Sequence, residues 1–167
     1  VDHEYLVVWA GARNSTAPGT TAIWAQRYDR DGLPLGQNWT VADQGHSLIG
    51  PVVTYNPVDN VYLIVWKDTL EDDIEGQLFS AQGAALGFSF KIATVGSPTA
   101  PAVAHNSLLN EYLVVYSRSN PVTGLDIYNR LVQSNGTMPF AERVLEMLSG
   151  DQTLPDVAYN PVGGNYV

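Results

Sequence analysis

The sequence predicts an all-β protein made of repeated four-stranded antiparallel units. Three observations carry this. The 167 residues repeat themselves at intervals of about 50. Short runs rich in β-branched and aromatic residues alternate with clusters of Pro, Gly, Asn and Asp. Apolar residues make up 45% and charged residues 15%, a globular composition. The repeat is visible by eye. Pro51 opens PVVTYNPVDNVYLIVWKD, Pro101 opens PAVAHNSLLNEYLVVYSR, and Pro155 opens PDVAYNPVGGNYV, while the N-terminus reads VDHEYLVVW. A second block follows, AIWAQRYDRDGLPLG, DIEGQLFSAQGAALG or DIYNRLVQSNGTMPF. Self-similarity at such a period is the mark of a repeat architecture.

Each unit holds four runs. Run A is Val52–Tyr55, Ala102–His105 and Asp156–Tyr159. Run B is Tyr5–Trp9, Tyr62–Trp66 and Tyr112–Tyr116. Run C is Ile23–Tyr28, Ile74–Phe79 and Ile127–Val132. Run D is Trp39–Ala42, Phe88–Ala93 and Phe140–Leu145. Run B is apolar throughout, as in YLIVW, so both of its faces are expected to be covered. Run C alternates, with Ile74, Gly76 and Leu78 on one side and Glu75 and Gln77 on a wetter side. The turn formers between A and B (NPVDN), and Asp31-Gly32, Gln82-Gly83 or Asn135-Gly136 between C and D, give hairpins. Each unit is then an A-B-C-D meander. The segment AERVLEML from Ala141 has helix-forming residues, but its place in the repeat makes it strand D. The array divides into units of approximately 1–50, 51–100 and 101–154, with 155–167 the start of another.

Units of this kind point to β-propeller blades stacked face to face, which explains the apolar run B. The alternative is a β-trefoil, also three four-stranded units. The units resemble a bacterial extracellular β-propeller-type repeat family, on the PAVAHN at Pro101, the NEYLVVY at Asn110, the DIYNR at Asp126 and the DIEGQ at Asp73. The resemblance implies a scaffold in a secreted or cell-surface protein. Arg130 departs from it where Gln26 and Gln77 stand, and Ala22 where the aspartate stands. Three blades do not close a ring, which needs about four to eight. The expected partners are a second copy, giving a six-bladed homodimer, or the remaining blades of a parent polypeptide.

Composition bounds the chemistry. Eight Lys plus Arg against 17 Asp plus Glu give a net charge of −9, unsuited to a phosphate backbone. No apolar run is long enough to span a bilayer. There is no cysteine, hence no disulfide, thiolate metal site or cysteine nucleophile. No catalytic, cofactor or metal site is assigned. His3, His46 and His105 fall in different settings, and His105 stands where Tyr55 and Tyr159 do, as a packing substitution. The acidic group Glu71, Asp72, Asp73 and Glu75 offers oxygen ligands without the spacing of a calcium loop, and reads as a solvated loop. Asp29-Arg30-Asp31-Gly32 reads as a hairpin turn. Sequons begin at Asn14, Asn38 and Asn135.

The meander puts the dissimilar B–C and D–A loops at one end and the similar A–B and C–D turns at the other. Binding residues ride on loops held by a rigid scaffold, so Trp24, Trp39, His46, Asp72 and Asp73 are the candidate ligand-binding residues. The two tryptophans break the repeat, and an indole stacks well on a sugar. The expected function is a non-enzymatic binding or structural module. A carbohydrate-binding lectin and a glycoside hydrolase with two carboxylates across a cleft are the alternatives.

Overall fold

The computed structural model describes residues 4–13, 19–99 and 101–167. Its strands are β1 (Glu4–Ala12), β2 (Thr21–Asp29), β3 (Pro34–Ala42), β4 (Leu48–Asn56), β5 (Val61–Asp68), β6 (Asp73–Ser80), β7 (Ala85–Ala93), β8 (Ala102–Asn106), β9 (Glu111–Asn120), β10 (Gly124–Gln133), β11 (Arg143–Glu146), β12 (Tyr159–Asn160) and β13 (Asn165–Tyr166). They form four antiparallel sheets in chain order: β1-β2-β3, β4-β5-β6-β7, β8-β9-β10-β11 and β12-β13. Among the described residues no strand pairs across two units, so the trefoil alternative is set aside.

The sheets stack through their A-type strands. β4 packs against β1 and β2, β8 against β4, and β12 and β13 against β8. β5 shows why its sequence is apolar at every position. Leu63 and Val65 face the third sheet, where they join Tyr112, Val114 and Tyr116. Ile64 and Trp66 face Ile23 and Ala25 of the first sheet, with Leu48 of β4 in the same cluster. All four are fully buried, and full burial of such side chains stabilises by about 1.5–3 kcal/mol each. On β1 the two faces differ. Leu6, Val8 and Ala10 meet the second sheet, whereas Tyr5 and Val7 are exposed.

The C–D turns repeat one geometry. Gly32, Gly83 and Gly136 donate their amides to the carbonyls of Asp29, Ser80 and Gln133 at 3.1, 2.9 and 2.9 Å. All three have φ near +80° to +90°, which a residue with a Cβ adopts only at a cost. Asp29 Oδ1 accepts the amides of Asp31 and Leu33, so its turn is capped by its own carboxylate. The C-strand glutamines support a glycine kink in strand D. Gln26 Nε2 donates to the carbonyls of Leu35 and Gly36, and Gln77 Nε2 to that of Gly87. In the third unit Arg130 stands in this place, and strand D is reduced to the four residues of β11.

Three expectations need correction. The wet side predicted for run C is absent at Glu75, which is buried in β6 between two neighbouring strands. The D run at Phe140–Leu145 forms a strand only over Arg143–Glu146, because Glu142 is drawn to Tyr116 and Arg118. The helix-forming composition there does not prevail, since β10 offers open backbone partners. The A run at Asp156–Tyr159 is a strand only at Tyr159–Asn160. Its partner β13 is two residues long, and the ladder extends outward only through paired bonds between Ala158 and Val167.

Candidate functional site

The B–C and D–A loops share one end of the sheets. Thr69 donates to the Ser47 carbonyl, and Ser119 to that of Gly96. Beneath these loops the second sheet holds three carboxylates. Asp68 ends β5, Asp73 begins β6, and Glu75 follows two residues later on the same side of the strand. One oxygen from each lies within 4.8 Å of the others, and all three residues are buried.

Each carboxylate has a specific partner. His46 Nε2 lies 2.8 Å from Asp68 Oδ2, and Asp68 Oδ1 accepts the amides of Leu70 and Glu71. Lys91 Nζ is 2.5 Å from Asp73 Oδ2. Gln44 Nε2 donates to Glu75 Oε2 at 2.7 Å. Burial acts to raise the Asp68 carboxyl, yet the bonds from His46, Glu71 and Leu70 outweigh it and hold it below the usual range. Burial pushes the Glu75 carboxyl up; Gln44 opposes this, and the neighbouring Asp73 and Asp68 add to it. The Asp73 carboxylate raises the Lys91 ammonium. Three oxygen donors suit a hard cation, but the Lys91 ammonium already supplies a positive charge to this set. The arrangement ties the Asp43–Ser47 loop to the second sheet.

The structure brings three of the five candidate residues into this neighbourhood. Asp73 belongs to the cluster and His46 binds it. Asp72 lies on the surface just outside, bonded to Lys67 and, at 2.6 Å, to Ser97 Oγ. Those bonds, from Lys67 first, lower its carboxyl. The solvated-loop reading therefore holds for Glu71 and Asp72, and fails for Asp73 and Glu75, which begin a buried strand. The two tryptophans lie elsewhere. Trp39 is half-buried and packs on the core between the first two sheets and against Gly83. Trp24 pairs across β1 with Trp9. Asp68, Lys91 and Gln44 escaped sequence reading, because they converge only when β5 and β7 flank β6 beside the D–A loop. His105 is buried, packs with its ring tilted against Tyr112 at 5.1 Å, and is lowered by burial, as a packing residue should be. His3 and the sequon at Asn14 lie outside the described residues. Asn38 and Asn135 are exposed.

No family model and no curated protein matches the chain. A solved structure, the crystal structure of the nidogen/laminin complex, contains a β-propeller chain similar to this one, with a TM-score of 0.52 and 20% identity. The match covers 98% of this chain and 51% of that one, so this chain spans about half its length. The likeness shows the fold: an all-β chain of antiparallel four-stranded sheets with a β-propeller neighbour.

Proposed function

We propose that the chain is an arc of β-propeller blades acting as a non-enzymatic binding module of a secreted or cell-surface protein. The observation that carries this reading is the asymmetry of the two ends. At one end the C–D turns repeat one geometry, and the A–B turns another, each closed by the side-chain oxygen of Asn56, Asn106 or Asn160. At the other the loops differ in length and sequence around a common frame, where a partner protein would be read. The neighbour comes from the nidogen/laminin complex, and the half-length match supports a ring completed by further blades or by a second copy. No helix among the described residues is long and apolar enough to cross a membrane.

Loop grafting tests the reading. The chain and two variants are screened against a panel of extracellular proteins by interferometry. In one variant the B–C loops are replaced by Gly-Ser; in the other the exposed A–B turn residues are altered. The expected result is a partner kept by the second variant and lost by the first. Turnover of a chromogenic glycoside, abolished by a single Asp or Glu substitution, would replace this reading with a hydrolase. A glycan-array signal lost with Trp24→Ala would replace it with a lectin.

A further inference from the structure

The carboxylates of the second sheet carry more charge than their surroundings cancel. Asp68 lies directly across from Asp73 in the β5–β6 ladder, and Trp66 directly across from Glu75. Cross-strand partners share a face of the sheet, so all four side chains leave the face that Trp66 turns to the first sheet. The three acids are at most 5% exposed. They face one ammonium, that of Lys91, and one imidazole, that of His46. Negative charge is left over in either state of the imidazole. Buried charge that is not cancelled is costly.

Two orphaned polar atoms belong to the same face. Asp73 Oδ1 is buried without a hydrogen-bond partner, while Asp73 Oδ2 is taken by Lys91. Trp66 Nε1, on a fully buried indole, has no partner either. A bare acceptor and a bare donor in the interior each call for one. A hydrated cation answers both. The ion takes the carboxylate oxygen, and a water bound to the ion accepts from the indole.

The fold does not require these acids. The repeat positions of Asp68, Asp73 and Glu75 hold Gly11, Ala22 and Trp24 in the first unit, paired in the same register. In the third unit they hold Arg118, Asp126 and Tyr128. There Arg118 supplies an internal cation, 4.2 Å over the Tyr128 ring and paired with Glu142. Only the second sheet buries three acids at this place.

We infer that Asp68, Asp73 and Glu75 bind a hard divalent cation of the calcium class at the loop end of the second sheet. Their oxygens, within 4.8 Å of one another, are the hard donors such an ion takes, with water filling its remaining positions. Lys91 is half exposed and lies 3.6 Å from Glu71 as well. Its ammonium holds the place of the ion and turns to Glu71 when the ion enters. Gln44 and His46 orient Glu75 and Asp68 from the D–A loop, so the ion ties that loop to the sheet. The inference does not depend on the binding-module reading.

Calorimetry and thermal denaturation of the whole chain with Ca²⁺ test it. A single ion should bind with a dissociation constant on the order of 10⁻⁴–10⁻³ M, and it should raise the melting temperature. Tb³⁺ in the same site should luminesce on tryptophan excitation and be displaced by Ca²⁺. Glu75→Gln, checked for folding by circular dichroism, should bind about tenfold more weakly or worse, and Lys91→Gln, free of the competing ammonium, about tenfold more tightly. No binding at about 10 mM Ca²⁺, ten times the weakest constant expected, would leave Asp73 Oδ1 to a buried water and overturn the inference, with the binding-module reading untouched. Binding undiminished in both Glu75→Gln and Asp73→Asn would place the ion on the exposed Glu71–Asp72 loop and overturn it too. So would a response to Zn²⁺ alone that is lost in His46→Ala.

Discussion

Asn56 Nδ2 and Tyr112 Oη meet at 3.0 Å across the seam between the second and third sheets, and both residues are fully buried. The bond explains two positions of the repeat at once. The asparagine must be an amide, since its oxygen closes the turn while its nitrogen leaves the sheet. The tyrosine hydroxyl shares with Asn110 Oδ1 the task of accepting from this buried amide, and a buried polar group that loses one of its partners is costly. Asn56→Ala removes bonds in both directions and should destabilise the chain by about 2–3 kcal/mol. Tyr112→Phe should cost about 1–2 kcal/mol. Urea denaturation followed by tryptophan fluorescence measures both, and equal effects would mean the seam bond alone dominates.

Neighbouring residues on β5 should behave as independent sites. Leu63 faces the third sheet and Ile64 the first. Each truncation to Ala should cost about 2–5 kcal/mol. The double variant should lose the sum within about 0.5 kcal/mol, because the two cavities open into different clusters. Strong coupling would show that the clusters behave as one.

Two turn glycines separate backbone strain from steric conflict. A Cβ on Gly32 meets nothing within 4 Å, while one on Gly83 lies 2.8 Å from the Trp39 ring. Both have positive φ, +79° and +89°. Gly32→Ala should therefore cost only the conformational penalty, about 1 kcal/mol. Gly83→Ala should cost more, with a change in Trp39 fluorescence. Equal losses of melting temperature would remove Trp39 as the cause.

The buried carboxylates predict opposite pH effects. The Glu75 carboxyl is raised above its ordinary 4.5, so the folded chain holds that proton more tightly than the unfolded one. Its ionisation costs stability above the raised value, and that stability returns as pH falls through it. Glu75→Gln should then be more stable than the parent at neutral pH, with the gap closing in acid. Asp68 is lowered below its ordinary 3.8. Its contribution is present above that value and is lost as pH falls through the lowered one. Asp68→Asn should be less stable at neutral pH, and the loss should shrink only in strong acid. Denaturation midpoints across a pH series measure both.

The aromatic position closing each A strand should accept exchange. His105 on Tyr112 repeats Tyr55 on Tyr62, both at 5.1 Å. His105→Tyr should change stability by less than about 0.5 kcal/mol, read from the thermal midpoint. A large loss would mean that His105 has a role beyond packing.

Much of this was legible in the chain. The repeat fixed the number and order of strands. The unbroken apolar run Tyr62–Trp66 announced a strand covered on both faces, and the turn glycines marked the hairpins. Strand ends were less legible. Asp156 and Phe140 sit in runs that resemble their counterparts, yet pairing failed where the partner strand was short or a nearby ion pair drew the backbone aside. The candidate site was half legible. His46, Asp72 and Asp73 were singled out because they lie on dissimilar loops, and the structure places them near one another. Where the Trp39 side chain packs was not legible, because a break in a repeat pattern does not reveal how a side chain seats against the next sheet.

Period and composition are local properties, and they determined by themselves that this chain forms antiparallel meanders without thiol chemistry or long apolar spans. What only the tertiary structure decided is which residues meet between units. Asp68, Asp73, Glu75, His46 and Lys91 are scattered over 46 positions of sequence, and Asn56 and Tyr112 stand 56 apart. Such encounters depend on how one sheet rotates and seats against the next. That is set by the summed packing of buried side chains on both faces rather than by any one segment.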